Sequence, residues 1–151
     1  MKPDDTKQQK QAPPDAPPYP CVCATIRKAG RIVTRQYDQY LKPSGLKITQ
    51  FSVLANISRN PGITVSKLAD LLITDQTTMT RVLRGLENAG YILLQPGVKD
   101  RRVKRVQITD AGLAKLNEAR PLWAVAQREM EQTLGRGGIE DLLDWVRKLA
   151  G

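Results

Sequence analysis

DQTTMTRVLRGLENAGYILLQPGVKDRRVKRVQIT, residues 75–109, holds two structural periods and a sharp rise in positive charge. In its first half Met79, Val82, Leu83 and Leu86 recur at helical spacing and form a core-facing stripe. Thr77, Thr78, Thr80, Arg81, Arg84 and Glu87 fall elsewhere on the wheel. Thr74 or Asp75 suits the amino cap, because a short oxygen side chain accepts an orphan backbone N–H. Gly90 suits a left-handed helix terminus. The second half changes period. Tyr91 to Gln95 is apolar and β-prone, Pro96-Gly97 turns the chain, and Val103 to Ile108 alternates like a strand. Lys99, Arg101, Arg102, Lys104 and Arg105 crowd the hairpin tip, opposed only by Asp100.

A helix with a polar opening turn, followed by a basic hairpin, predicts a winged helix-turn-helix. Arginine can bond two acceptors on guanine, and threonine offers a hydroxyl or a methyl to base edges. A basic hairpin tip suits a phosphate backbone or a narrow minor groove, where the negative potential is enhanced. Thr77, Thr78, Arg81, Arg84, Lys99, Arg101, Arg102 and Lys104 are therefore the candidate DNA-contacting residues. The helix alone would equally suit an ordinary solvated face; the five cations that follow it shift the balance.

Composition narrows the classes. The chain has 151 residues and a formal net charge of +9, enough length for one domain with a real core. Residues 64–109 hold eight Lys or Arg against four Asp or Glu, whereas residues 110–151 hold six against seven. The excess thus lies in the amino-terminal part and the proposed reading head, and nucleic acid is the simplest polyanionic partner. The sequence has no histidine, which excludes a Ser–His–Asp triad, a Cys–His pair and a His-based zinc site. No motif requires a cofactor or metal, and no convergent polar cluster suggests an enzyme. Two cysteines do not make a disulfide scaffold. There is no membrane-length apolar run and no apolar signal core, so a cytoplasmic protein without a membrane partner is expected.

In chain order, residues 1–20 hold six of the ten prolines and read as a flexible tail, either idle or an arm that touches DNA. Residues 21–41 read as a helix with Val22, Ile26, Ala29, Val33, Tyr37 and Tyr40 along one side. Residues 48–59 form a second helix, Asn60-Pro61-Gly62 a turn, and Ile63-Thr64-Val65 a short strand added to the wing. Thr64 caps a third helix over residues 65–72. Residues 109–134 form a long helix capped by Thr109, with a kink or break expected near Ala119-Arg120 because Pro121 sits inside it. Gly135 to Gly138 reads as a turn, and Ile139 to Leu149 as a last helix with Ile139, Leu142, Leu143, Val146 and Leu149 inward. The architecture is mainly α with a small β wing. Residues 48–109 form the winged helix unit, and residues 21–47 and 110–151 supply flanking dimerisation helices. A twofold protein would match an inverted-repeat site on double-stranded DNA.

From about Cys21 to Leu149 the chain resembles the MarR family of bacterial transcriptional regulators. The likeness is carried by Asp100, Arg102, Ile108 and Thr109 in the wing, by GLKITQFSVL (Gly45 to Leu54), by VSKLADLL (Val65 to Leu72) and by TTMTRVLRGLENAGYI (Thr77 to Ile92). The resemblance implies a homodimer with interlocking terminal helices, recognition helices in successive major grooves and wings at the minor groove. Arg102 would be the minor-groove arginine, and Asp100 would orient the wing. It also implies a repressor released by a small phenolic or aromatic ligand, bound between the dimer helices and the reading head. One branch of the family senses organic peroxides through a cysteine near the start of the first helix. Cys21 and Cys23 occupy such a place, where the helix dipole with Arg27 and Lys28 favours a thiolate. Packing at a helix start is the plainer role for both. Two rivals stay open: an architectural or RNA-binding winged helix without an effector, and a protein-interaction module.

Overall fold

The computed structural model describes residues 19–98 and 100–151, so Met1–Pro18 and Lys99 lie outside the described residues. The expected tail falls almost wholly on that first segment, and one candidate DNA contact is Lys99 itself. The chain divides into two units, one ending at Ile32 and one running from Val33 to Gly151. In the first unit the described residues are exposed and helical from Val22.

Five helices and a two-stranded sheet follow in order: α1 (Val22–Leu41), α2 (Ile48–Arg59), α3 (Val65–Leu71), α4 (Gln76–Asn88), β1 (Ile92–Pro96), β2 (Lys104–Ile108) and α5 (Asp110–Ala150). A 3-10 turn, Lys42–Ser44, separates α1 from α2. Asp38 of α1 accepts from the Ile48 amide at 2.8 Å and so caps α2 from outside. Thr64 accepts from the Lys67 amide at 3.2 Å and starts α3, as its hydroxyl predicts. Asp75, not Thr74, caps α4.

The core of the second unit lies where these elements meet. Leu41, Leu54, Ile57, Leu68, Met79, Leu83, Leu86, Ile92, Val106 and Leu116 are fully buried there. Phe51 of α2 stacks on Trp123 of α5 with ring centroids 5.7 Å apart. The Tyr37 hydroxyl donates to Gln127 Oε1 at 2.7 Å, and burial with the nearby Glu131 charge pushes its pKa up. β1 and β2 pair antiparallel with Leu94 opposite Val106 and Pro96 opposite Lys104. The expected strand at Ile63-Thr64-Val65 shrinks to a single bridge, Thr64 opposite Arg105. It is still an anchor: the Val106 amide donates to the Ile63 carbonyl at 2.9 Å, and Arg105 Nη1 donates to the Gly62 carbonyl at 2.8 Å.

Two expectations about α5 are corrected. The helix keeps helical dihedrals through Pro121 and leaves them at Gly135, where φ is 69° and ψ 166°. A proline inside a helix costs about 3 kcal/mol through its missing N–H and ring clash. Leu116, Ala119 and Ala126 are buried on either side of Pro121, so the chain does not break there and core packing offsets that cost. Gly135 has no such packing and adopts a dihedral pair open essentially to glycine alone. The expected four-residue turn is thus one residue. Beyond it Ile139 is half-buried, whereas Leu142, Leu143, Val146 and Leu149, expected inward, are exposed, as is Trp145. In a single chain they have nothing to pack on.

α3 and α4 end in the same motif with different residues. After α4 the Gly90 amide bonds the Glu87 carbonyl and the Tyr91 amide the Leu86 carbonyl, with Gly90 at φ 77°. After α3 the Ile73 amide bonds Asp70 and the Thr74 amide bonds Ala69, with Ile73 at φ 48°. A β-branched residue in the left-handed region is strained, at roughly 1–2 kcal/mol. The helix-turn-helix corner therefore carries stored strain on an exposed isoleucine.

Gly112, in the first turn of α5, faces the Tyr91 carbonyl so closely that an added Cβ would overlap it. Both sides of that contact are backbone, so neither yields by a rotamer change. Gly112→Ala is expected to lower the unfolding free energy by about 3 kcal/mol in urea titration; a loss below about 0.5 kcal/mol would contradict this close packing.

Candidate nucleic-acid interface

The reading helix is set by its cap. Asp75 Oδ1 accepts from the Thr78 amide at 2.8 Å, and Asp75 Oδ2 accepts from the Thr78 hydroxyl at 2.7 Å. These two bonds from Thr78 hold the Asp75 carboxyl below its usual pKa. Met79, Leu83 and Leu86 then point into the core, which leaves Gln76, Thr77, Thr80, Arg81 and Arg84 around a shallow surface depression of about 460 Å³. Thr77, Arg81 and Arg84 thus share one face, as their spacing predicts. Thr78 differs from them: it is half-buried, and its hydroxyl is engaged with Asp75. Gln76 was not picked out by sequence, although its place immediately after the cap puts it at the helix tip.

The wing is shaped by short backbone bonds. The Gly97 amide donates to the Val103 carbonyl at 2.7 Å, and the Val103 amide to the Asp100 carbonyl at 3.1 Å. Gly97 is buried, and a Cβ there would meet the Asp100 carbonyl oxygen at 2.7 Å, so the tight tip needs glycine. Asp100 Oδ1 accepts from the Arg102 amide at 2.9 Å and lies 3.6 Å from Arg102 Nε. This aspartate turn presents Arg102 to solvent, with its side chain 95% exposed. Arg101 and Lys104 are also exposed. Among the described residues, Arg81, Arg84, Arg101 and Lys104 form no ion pair within the chain. Arg105 differs from these in making a hydrogen bond within the chain, from its guanidinium to the Gly62 carbonyl.

A second feature was not legible in the sequence. A cleft of about 350 Å³ lies among α1, α2 and the start of α4. Ile48, Val53, Leu72, Met79 and Val82 supply its apolar wall, and Thr34, Thr49, Ser52, Thr74 and Thr78 bring hydroxyls to it. Its residues come from four separate stretches of chain, so no local pattern marks them. Cys21 and Cys23 are free and exposed at the start of α1. Among the described residues no cluster of acids and thiols is placed to hold a metal, and no helix is long and apolar enough to cross a membrane.

Comparison with known proteins agrees with this geometry. A model of the MarR family matches residues 46–104. The transcriptional regulator MosR of M. tuberculosis, solved in complex with DNA, is 37% identical with a TM-score of 0.74, over 86% of this chain and 98% of that one. A mutant MarR of E. coli, complexed with operator DNA, is 25% identical with a TM-score of 0.76, over 85% of this chain and 93% of that one. The HTH-type transcriptional regulator PecS of Dickeya dadantii is 29% identical over 118 residues, covering 76% of this chain and 71% of PecS.

The Asp75 cap has a pH signature. Its carboxyl is more acidic folded than unfolded. The stability it adds is complete above the ordinary carboxylate pKa and is lost as pH falls through the lowered folded value. Asp75→Asn is therefore expected to melt below the native protein at neutral pH, with the gap closing in acid. A gap that stayed constant from neutral pH to strong acid would show that the charged cap contributes nothing.

Proposed function

The chain belongs to the MarR family, and from that membership we propose that it is a sequence-specific, DNA-binding transcriptional regulator acting as a homodimer. The observation that carries this reading is the pairing of two free basic surfaces on one anchored frame. α4 offers Thr77, Arg81 and Arg84, and the wing offers Arg101, Arg102 and Lys104. α4 enters the major groove with Arg81 and Arg84 at bases or phosphates. The wing lies along the minor groove, with Arg102 inserted and Asp100 holding its backbone turn. Lys99, outside the described residues, is a further proposed phosphate contact. Thr78 serves the helix by capping rather than by touching a base.

The exposed face of Leu142, Leu143, Trp145, Val146 and Leu149 supports dimerisation. A stripe this apolar on one helix marks an interaction surface. Two chains related by a twofold axis then present two reading heads to an inverted repeat. Regulation is by release: a small aromatic or phenolic ligand in the cleft favours a spacing of the heads that misses the grooves. The chemistry is recognition alone, without an enzymatic step or cofactor, in the cytoplasm.

A second, oxidative route to release is favoured by one observation, the exposure of both thiols at the start of α1. Cys21 lies just before α1 and Cys23 within its first turn, where the Thr25 amide donates to the Cys21 carbonyl at 3.0 Å. A Cys21–Cys23 disulfide, formed as a peroxide is reduced, would therefore have to unwind the first turn of α1. If DNA binding of the Cys21→Ser, Cys23→Ser protein falls with peroxide as much as the native protein's does, this route is excluded.

The main reading is tested by fluorescence anisotropy on duplexes flanking the protein's own gene, at several salt concentrations, against shuffled duplexes. Two chains per specific duplex are expected. Arg102→Ala is expected to cost about 1–3 kcal/mol of specific affinity, and Arg101→Ala to weaken all duplexes alike and reduce the salt slope by about 1. Equal affinity for specific and shuffled DNA would reduce the protein to an architectural binder.

A further inference from the structure

The corner between α3 and α4 keeps a strain that the fold does not use. Ile73 holds φ at 48°, in the left-handed region where a β-branched side chain is an outlier. The equivalent place after α4 is taken by Gly90, at φ 77° and without strain. Burial does not offset the cost. Leu72 packs against the core, whereas Ile73 is 78% exposed. Strained backbone persists where its surroundings hold it, and it gathers at functional sites. What the isoleucine contributes therefore lies outside the chain.

Ile73 stands just before the Asp75 cap, close in the chain to Gln76, the first residue of α4. Gln76 is exposed and lines the same shallow depression as Thr77, Thr80, Arg81 and Arg84. Three residues of chain span at most about 11 Å, so both side chains fit one major groove, roughly 12 Å wide. The chemistry of each selects a base. Along the major-groove edge the apolar group is the C5-methyl of thymine, so an aliphatic side chain gains its contact there. A glutamine amide donates and accepts at once, which matches N7 and the N6 amino group of adenine. An A·T pair displays both.

We infer that Ile73 and Gln76 read A·T pairs at the tip of the reading head. Gln76 Nε2 donates to adenine N7, and Gln76 Oε1 accepts from the adenine N6 amino group. Ile73 packs on a thymine methyl in the same pair or the next. The inference rests on the reading of this chain as a sequence-specific DNA-binding regulator. It adds two specificity-determining residues and the base pair they choose. The strain at Ile73 is held for recognition rather than for stability.

The test starts from duplexes that the full chain selects out of a randomised library, with affinities read by fluorescence anisotropy at fixed salt. Single thymines are then replaced by uracil, which removes only the methyl, and single adenines by 7-deazaadenine, which removes the N7 acceptor. One thymine per half-site is expected at which uracil costs the native chain about fivefold or more. Ile73→Gly is expected to bind the thymine duplex about fivefold more weakly and to ignore that uracil. It is also expected to melt no lower than the native chain, because glycine relieves the left-handed strain. One adenine per half-site is expected at which 7-deazaadenine weakens the native chain about fivefold or more and leaves Gln76→Ala unaffected. Tolerance of uracil at every thymine, or an Ile73→Gly protein that binds as tightly or stays as sensitive to uracil, would overturn the role of Ile73. A lower melting point for Ile73→Gly would give the side chain a place in the fold and overturn it equally. Tolerance of 7-deazaadenine at every adenine, or undiminished sensitivity in Gln76→Ala, would overturn the role of Gln76. A library that yields no preferred sequence would instead overturn the regulator reading itself, so the two failures are distinct.

Discussion

The junction where four elements meet at Thr109 governs the rest of the reading unit. The Thr109 hydroxyl donates to the Gly90 carbonyl at 2.7 Å, just past the end of α4, and accepts from the Gly112 amide at 3.0 Å, in the first turn of α5. Its own amide donates to the Tyr91 carbonyl at 3.0 Å, which closes the base of the hairpin. One side chain and one peptide thus tie the end of the reading helix, the start of β1, the end of β2 and the start of α5. Gly112 is a consequence: only a residue without Cβ lets α5 begin this close to the Tyr91 carbonyl. With the base held this tightly, the orientation of the wing relative to α4 depends on few soft degrees of freedom. A second tie, from Arg105 and Val106 to the turn at Gly62 and Ile63, fixes the sheet against the start of α3.

That frame explains why the wing cations divide into two kinds. Arg105 lies next to the buried Val106, and its guanidinium reaches the Gly62 carbonyl, where it serves the fold. Arg101, Arg102 and Lys104 lie toward the tip, in water. Surface pairs in water are worth little, so the Arg102–Asp100 contact at 3.6 Å matters for where it holds the backbone rather than for its Coulomb energy. The positive field is thus concentrated on the surface left unpaired, and such a field is worth most against a polyanion at low salt.

The carboxyl-terminal half of α5 follows a different logic. Each fully buried Leu, Val or Trp stabilises by about 1.5–3 kcal/mol over an exposed one, and here five stand in solvent on one short stretch. Gly135 lets that stretch change direction where no core packing resists. Helical periodicity in this region is real, yet periodicity identifies a face and not what covers it.

The sequence by itself determined everything whose cause is local. The stripe Met79–Leu86 makes α4, Gly90 ends it, Thr64 and Thr109 start their helices, and Asp100 turns the backbone of a residue two positions away. Each of these depends on side chains within about four residues of the group they satisfy. Only the tertiary structure decided the rest. Pro121 stays helical beside Trp123, which stacks on Phe51 of α2, whereas among the described residues none lies within 4 Å of a Cβ placed at Gly135. Thr78 turns to the cap and the cleft, Arg105 to a carbonyl 43 residues away, and Gly112 to the backbone of β1's approach. The cleft exists because α1, α2 and α4 leave a gap when they converge on one core. Such contacts are made between residues distant in the chain, and their distances are set by how the elements pack rather than by any spacing along the sequence.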